Sequence, residues 1–182
     1  MTPLFHVVLV APQIPNNTGN IGRTCVATGS ALHLVHPLAF DTSDKACRRA
    51  GLDYWPRLSV FEHASWDAFL AATSPPGERI WLLTTKASRS LFPSPSTPTA
   101  NQVALSRGDF LVFGNEGQGL PESILVAYPD RLISLPMVPG ERSLNLATAV
   151  CTVVYEGVRQ ALARGTARLD PQGRLLPDET TA

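Results

Sequence analysis

The chain has 182 residues, of which 44% are hydrophobic and 16% charged, and its formal net charge is zero. This length suits one domain with a substantial core. A pI near 6.9 argues against a protein that coats nucleic acid through its overall charge, but a local basic patch could still bind RNA. No apolar run is long enough to span a bilayer, the N-terminus lacks signal-peptide features and the three cysteines are odd in number, so we expect a cytoplasmic protein.

Apolar runs of strand length alternate with segments of helical periodicity along the chain. We predict strands at residues 5–10, 31–35, 58–61, 79–84, 110–113 and 132–135. We predict helices from about residue 16 to 29, at 44–51, 65–72 and 122–127, and from Ser143 to about 163. This alternation indicates an α/β fold with a mainly parallel sheet. Residues 1–165 are predicted to form one domain, residues 90–99 a surface loop, and residues 166–182 a loosely ordered tail.

Polar or glycine-bearing loops follow four of the predicted strands. They contain residues 16–23, 84–86, 114–116 and 136–137. Because ligands of parallel α/β sheets gather at the carboxyl ends of the strands, we expect these loops to form one small-molecule site. Asn16, Asn17 and Thr18 are candidate caps of the first long helix, and Ser143 is the candidate N-cap of the last.

Arg23 lies near the start of the first predicted helix, about 200° around the helix from Ile21. Ile21, Cys25 and Val26 are expected to point inward, so Arg23 is expected to point outward. The helix dipole does not favour a cation at this end, and an anionic partner is one explanation.

Several common motifs are absent from the sequence. It contains no Walker P-loop and no Gly-x-Ser-x-Gly elbow, and the glycines of residues 114–119 are in the wrong order for a dinucleotide fingerprint. The four histidines have no metal-ligand spacing, so we expect no metal, and His33 and His36 are expected to be structural.

Three ordered blocks carry a resemblance to a known family. They are PNNTGNIGRT at residues 15–24, LVFGNEGQGLP at 111–121, and ISLPM at 133–137 with RSLNL at 142–146. Together they resemble the SPOUT-class (SpoU/TrmH superfamily) RNA ribose 2′-O-methyltransferases. RAGLDYW at 49–55 and LTTK at 83–86 are similar to the small, single-domain YibK/TrmL-like branch, which methylates the tRNA wobble nucleotide. The resemblance covers residues 7–160.

The resemblance implies a fold and a cofactor. The fold is an α/β-knot, a mainly parallel sheet with helices on both faces and a C-terminal trefoil knot, a rare exception to unknotted topology. The cofactor is S-adenosyl-L-methionine, which leaves as S-adenosyl-L-homocysteine, and a homodimer completes each site. The implied cofactor residues are Leu83, Gly114, Ile133, Leu135, Ser143 and Leu144. Where the family usually has Ser-Asn, this chain has Ala147 and Thr148.

The implied reaction is methyl transfer to the ribose 2′-hydroxyl of cytidine or uridine 34 in the anticodon loop of tRNA. The family places Arg23 at this hydroxyl, but a guanidinium is effectively always protonated, so we expect it to grip a phosphate and stabilise the developing alkoxide. Glu116 or water is the candidate proton acceptor, and Glu116 could instead only hold its loop in shape. Asn145 is expected to be a structural cap.

The candidate RNA contacts are basic residues and one tyrosine. They are Arg48, Arg49, Lys86, Arg89, Arg142 and Tyr155, and for Tyr155 the alternative is packing within a largely buried helix. DNA is not an expected substrate because it lacks the 2′-hydroxyl. The competing hypotheses are a non-catalytic RNA-binding relative, a methyltransferase acting at another tRNA or rRNA position, and an α/β nucleotide-binding enzyme without an RNA partner.

Overall fold

A computed structural model describes residues 2–42, 52–98 and 102–177. The strands are β1 (Phe5–Val10), β2 (Ala31–Val35), β3 (Val60–His63), β4 (Ile80–Leu83), β5 (Asp109–Phe113) and β6 (Leu132–Ile133). The α-helices are α1 (Pro15–Thr28), α2 (Trp66–Thr73), α3 (Glu122–Ala127) and α4 (Leu146–Ala163). Short 3-10 turns lie at Trp55–Arg57, Gly77–Arg79 and Pro129–Arg131. The helix predicted at residues 44–51 lies outside the described residues.

The six strands form one parallel sheet in the order β3-β2-β1-β5-β4-β6. The strand order reverses between β1 and β5, and such a switch point opens a crevice at the carboxyl ends of the strands. The predicted α/β class and parallel sheet are confirmed. The trefoil knot stays a prediction.

Alternate residues of each central strand face two different cores, which places helices on both faces as predicted. Val7 and Leu9 of β1 pack with α1 and α4, whereas Val8 and Val10 pack with α2 and α3. Helix α4 lies very close to β1, because a Cβ added at Gly157 would fall 2.4 Å from the Phe5 ring. None of the helices in the described ranges is long and apolar enough to cross a membrane.

Both long helices begin differently from the prediction. The N-cap of α4 is Asn145, whose side chain accepts hydrogen bonds from the N–H groups of Ala147 and Thr148, so the prediction for Ser143 was wrong and that for Asn145 is confirmed. The N-cap of α1 is Ile14, which has no capping side chain, followed by Pro15. Pro15 is favourable there because proline has no N–H group to leave unpaired.

Three histidines form a hydrogen-bonded chain across β1, β2 and β3. His6 Nδ1 lies 2.9 Å from His33 Nε2, and His33 Nδ1 lies 3.0 Å from His63 Nε2. Burial lowers the pKa of all three, and it lowers that of His33 to about 3, with further contributions from His6 and His63. The rings therefore stay neutral at pH 7, and the prediction of a structural role for His33 is confirmed.

Two segments outside the regular elements are more ordered than their composition suggests. Leu91 is fully buried and its N–H group donates to Ser134 O, so residues 90–99 are not entirely a surface loop, because this leucine contributes to the core. Residues 168–176 form a short hairpin with a bridge between Leu169 and Leu175. Leu175 packs against the main core. The predicted domain boundary at residue 165 stays a prediction.

Candidate active site

A cavity of about 410 Å³ lies beyond the carboxyl ends of β4 and β5. Five of the six predicted cofactor residues line it, namely Leu83, Gly114, Leu135, Ser143 and Leu144. Ile133 does not line it: its side chain is fully buried, and its carbonyl accepts a hydrogen bond from Thr84 N at 3.0 Å. The predicted convergence of strand-end loops is therefore present, and Ile133 supports the wall from behind.

The glycine-rich loop after β5 forms one side of the cavity and needs glycine at its first position. A Cβ added at Gly114 would lie 1.9 Å from the carbonyl carbon of Gly119, where no side chain can fit. The loop closes through the Gly119 N–H group, which donates to Asn115 O at 3.0 Å. Asn115 Oδ1 also accepts from the N–H groups of Gly117 and Gln118, so its side chain shapes the turn.

Glu116 joins this loop to the start of α1. Its Oε2 accepts from Gln13 N at 2.9 Å, and its Oε1 accepts from Ile14 N at 3.2 Å and from Asn17 Nδ2 at 2.9 Å. Glu116 thus binds the free N–H groups before α1, although it lies about one hundred residues away in the sequence. Partial burial by itself raises the pKa of Glu116, but the hydrogen bonds from Asn17, Gln13 and Ile14 outweigh it and the pKa is lowered.

Asn17 and Asn145 extend the connection to the start of α4. Asn145 Nδ2 donates to Asn17 Oδ1 at 3.0 Å, while Asn145 Oδ1 caps α4. Glu116, Asn17 and Asn145 therefore link the three sequence blocks. The sequence analysis missed this link because each residue was a plausible local cap, and no local pattern pairs residues 99 or 128 positions apart. Ala147 and Thr148 contribute only their backbone N–H groups to this cap, so it does not depend on their side chains.

Arg23 lies on the outer side of α1, and Ile21 and Cys25 are fully buried, as predicted. Its side chain is 66% exposed, lies 3.9 Å from Asp53 Oδ1, and stacks over the Tyr54 ring at 4.6 Å. Arg23 does not line the cavity described above. It follows Asn17 by six residues, which is about 9 Å along the helix axis.

Among the described candidate RNA contacts, two line the cavity. Lys86 and Arg142 line it, and Lys86 Nζ also pairs with Glu122 at 2.7 Å. Arg89 donates to Asp130 O. Tyr155 is 48% exposed on α4, so the alternative that it packs within a buried helix was wrong. Arg48 and Arg49 lie outside the described residues.

Proteins of known name and structure match the chain over most of its length. Relatives from Saccharophagus degradans and Escherichia coli, each named tRNA (cytidine(34)-2′-O)-methyltransferase, are each 46% identical over 158 residues. These matches cover 86% of the chain and 96% and 94% of the two relatives. A solved structure concerned with the 2-OH methylation of C/U34 on tRNA superposes with a TM-score of 0.76 at 39% identity, covering 90% of this chain and all of the other.

The parallel sheet, the strand-end cavity and these matches define an RNA methyltransferase as the class of protein. The model of the SpoU rRNA Methylase family matches residues 4–155. The chain belongs to this family.

Proposed function

We propose that this chain transfers a methyl group from S-adenosylmethionine to the ribose 2′-hydroxyl of nucleotide 34, cytidine or uridine, in tRNA. The observation that carries the proposal is the cavity in which Gly114, Leu135 and Ser143 converge beside the start of α1. The relatives named above support the choice of substrate.

The cavity suits a cofactor that combines a flat ring with polar ends. Leu83, Leu135 and Leu144 provide apolar surface for an adenine ring, and the glycine loop provides backbone polar groups. Arg142 lines the same cavity and can neutralise a carboxylate. When bound, this cofactor supplies an activated methyl group, so the protein has to align the hydroxyl and accommodate its proton.

Arg23 is proposed to act on the RNA rather than on the cofactor. Its planar guanidinium offers several N–H donors, so it can bind a phosphate beside the target nucleotide and stabilise the developing alkoxide. Its contact with Asp53 is long and both side chains are strongly exposed, so this ion pair is weak. A phosphate can therefore replace Asp53 as the partner of Arg23 at little cost.

Glu116 is proposed to hold the three loops together rather than to accept the proton. Both of its oxygens already accept hydrogen bonds, and its lowered pKa makes it a poor proton acceptor. The 2′-hydroxyl proton is then proposed to pass to water.

We propose that Lys86, Arg142, Arg48 and Arg49 contact phosphates and that Tyr155 contacts RNA or a second subunit. In a chain with zero net charge, only such local clusters supply electrostatic affinity, so tRNA binding should weaken steeply with salt. The further elements of the proposal are a cytoplasmic homodimer, a single domain over residues 1–165 and a knotted C-terminal part.

The experiment is nucleoside mass spectrometry of tRNA from cells with and without this gene, mapped to position. The proposal predicts that 2′-O-methylcytidine and 2′-O-methyluridine at position 34 disappear with the gene and return with a plasmid copy. A change confined to another tRNA or rRNA position would contradict the wobble assignment, and an unchanged set of modifications would favour the non-catalytic alternative.

A further inference from the structure

Residues 52–58 form a wall that packs beside α1. The short turn in this wall is closed by a hydrogen bond from Arg57 N to Tyr54 O at 2.9 Å. Tyr54 and Trp55 are buried and belong to the main hydrophobic core. The turn and the burial together restrict the movement of the Tyr54 side chain.

Two glycines of α1 let this wall approach the helix closely. A Cβ added at Gly22 would lie 2.9 Å from Leu58 Cδ2, and one added at Gly19 would lie 3.6 Å from the Tyr54 hydroxyl oxygen. Gly22 and Arg23 follow Gly19 by three and four residues, so all three lie on one side of the helix. The wall therefore covers the part of the helix surface that adjoins Arg23.

Tyr54 contacts the helical turn of Arg23 in two ways. Its hydroxyl donates to Gly19 O, the carbonyl that helix geometry also pairs with the Arg23 N–H group. Its ring lies under the Arg23 guanidinium, with Cζ 4.6 Å from the ring centroid. A cation in this position is attracted by the ring electrons. One buried side chain thus contacts both the backbone turn and the charged end of Arg23.

The ring contact leaves the hydrogen-bond donors of Arg23 available. Within residues 2–42, 52–98 and 102–177, the guanidinium has a long ion pair with the exposed Asp53 and no hydrogen bond. Attraction to a ring needs no N–H donor, so these groups can bind two oxygens of one phosphate. A side chain that is already held over a ring also loses less rotamer freedom when it binds.

We propose that Tyr54 is a positioning residue that orients the Arg23 guanidinium for the phosphate beside the target nucleotide. The inference rests on the proposed function. Tyr54 is not among the residues that line the proposed cofactor cavity, so it acts through Arg23 and not through the cofactor. When RNA binds, the phosphate replaces Asp53, and the Tyr54 ring stays under the guanidinium.

The test is a double-mutant cycle on the full-length protein, read by methylation of tRNA at saturating S-adenosylmethionine and well below the lowest Tm of the set. Tyr54→Phe keeps the ring and loses the hydroxyl, so we expect a lower Tm but a kcat/KM within about twofold of the wild type. Tyr54→Leu also loses the ring and should lower kcat/KM about fivefold with cofactor affinity unchanged. In the Arg23→Ala background, Tyr54→Leu should lower kcat/KM no further. Asp53→Asn, the control for the ion pair, should stay within about twofold of the wild type.

Three results would overturn the positioning role while leaving the proposed function intact. They are a Tyr54→Leu variant as active as the wild type, equal losses of kcat/KM in Tyr54→Phe and Tyr54→Leu, and a Tyr54→Leu loss that persists in the Arg23→Ala background. A larger loss in Asp53→Asn than in Tyr54→Leu would assign the orientation of Arg23 to the carboxylate and also overturn the inference. A folded wild type that binds S-adenosylmethionine but methylates no tRNA would refute the proposed function, and the role of Tyr54 with it.

Discussion

Substitutions of Glu116 can show whether its carboxylate positions the surrounding loops or acts as the catalytic base. In Glu116→Ala, three donors lose their acceptor, namely Gln13 N, Ile14 N and Asn17 Nδ2. Hydrogen bonds to charged groups contribute about 1.5–3 kcal/mol each, but two of these donors are exposed enough for water to replace the carboxylate. We therefore expect a loss of about 2–3 kcal/mol in the free energy of unfolding. Glu116→Gln keeps one carbonyl oxygen and should lose about 1 kcal/mol.

The assays are urea unfolding, cofactor titration and single-turnover methylation of tRNA. For Glu116→Gln we expect weaker cofactor binding and a turnover within about tenfold of wild type once the cofactor is saturating. A general base instead contributes roughly 10²–10⁴-fold to the rate. The matched control is Asn17→Ala, whose effect on stability should be less than additive with that of Glu116→Ala because the two side chains are bonded. Unchanged stability and cofactor affinity together with a rate loss above about a hundredfold would refute the reasoning.

Three further predictions follow from single contacts. Gly114→Ala should destabilise the protein by about 2–3 kcal/mol and abolish cofactor binding in calorimetry, because its Cβ would overlap Gly119, whereas Gly117→Ala, whose nearest contact is 3.4 Å, should do neither. Acid should destabilise the wild type, because the pKa of His33 is about 3 in the folded protein and about 6.5 in the unfolded chain. The contribution of neutral His33 to the free energy of unfolding is fully present above pH 6.5 and is lost as the pH falls toward 3. At pH 5 the loss should be about 2 kcal/mol. Urea unfolding of His33→Leu at pH 7 and pH 5 should show a smaller difference, and an equal difference would exclude His33 as the cause. Arg23→Ala should lower kcat/KM for tRNA at least tenfold with cofactor affinity unchanged, and Arg23→Lys should not restore it because lysine lacks the bidentate fork; loss of cofactor binding in Arg23→Ala would contradict the RNA-side role.

The four central strands, β1, β2, β4 and β5, were predictable because a parallel sheet buried on both faces leaves a continuous apolar run in the sequence. The edge strand β3 is largely exposed and lies at Val60–His63, two residues later than predicted. Val7 and Val8 face opposite cores, and both must be apolar. The convergence of the strand-end loops followed from the same argument, since parallel strands place their carboxyl ends on one edge.

The details that were wrong depend on partners that are distant in the sequence. Serine and asparagine are both favourable N-cap residues, so the sequence alone does not decide between Ser143 and Asn145. In the structure Asn145 caps α4 and also donates a hydrogen bond to Asn17. Helix α1 has no capping side chain of its own, and Glu116 instead binds the N–H groups of Gln13 and Ile14 just before the helix. The side chain of Ile133, at the end of β6, is buried behind the cavity, and its contact with the cofactor stays a prediction. These details depend on tertiary packing, which the hydrophobic periodicity of the sequence does not predict.

The most direct measurement of the central claim is methyl transfer by the purified protein to two tRNAs that differ only in the sugar of nucleotide 34. With labelled S-adenosylmethionine, the account predicts one methyl group on the tRNA with ribose at position 34 and none on the tRNA with 2′-deoxyribose there. Equal labelling of both tRNAs would contradict it.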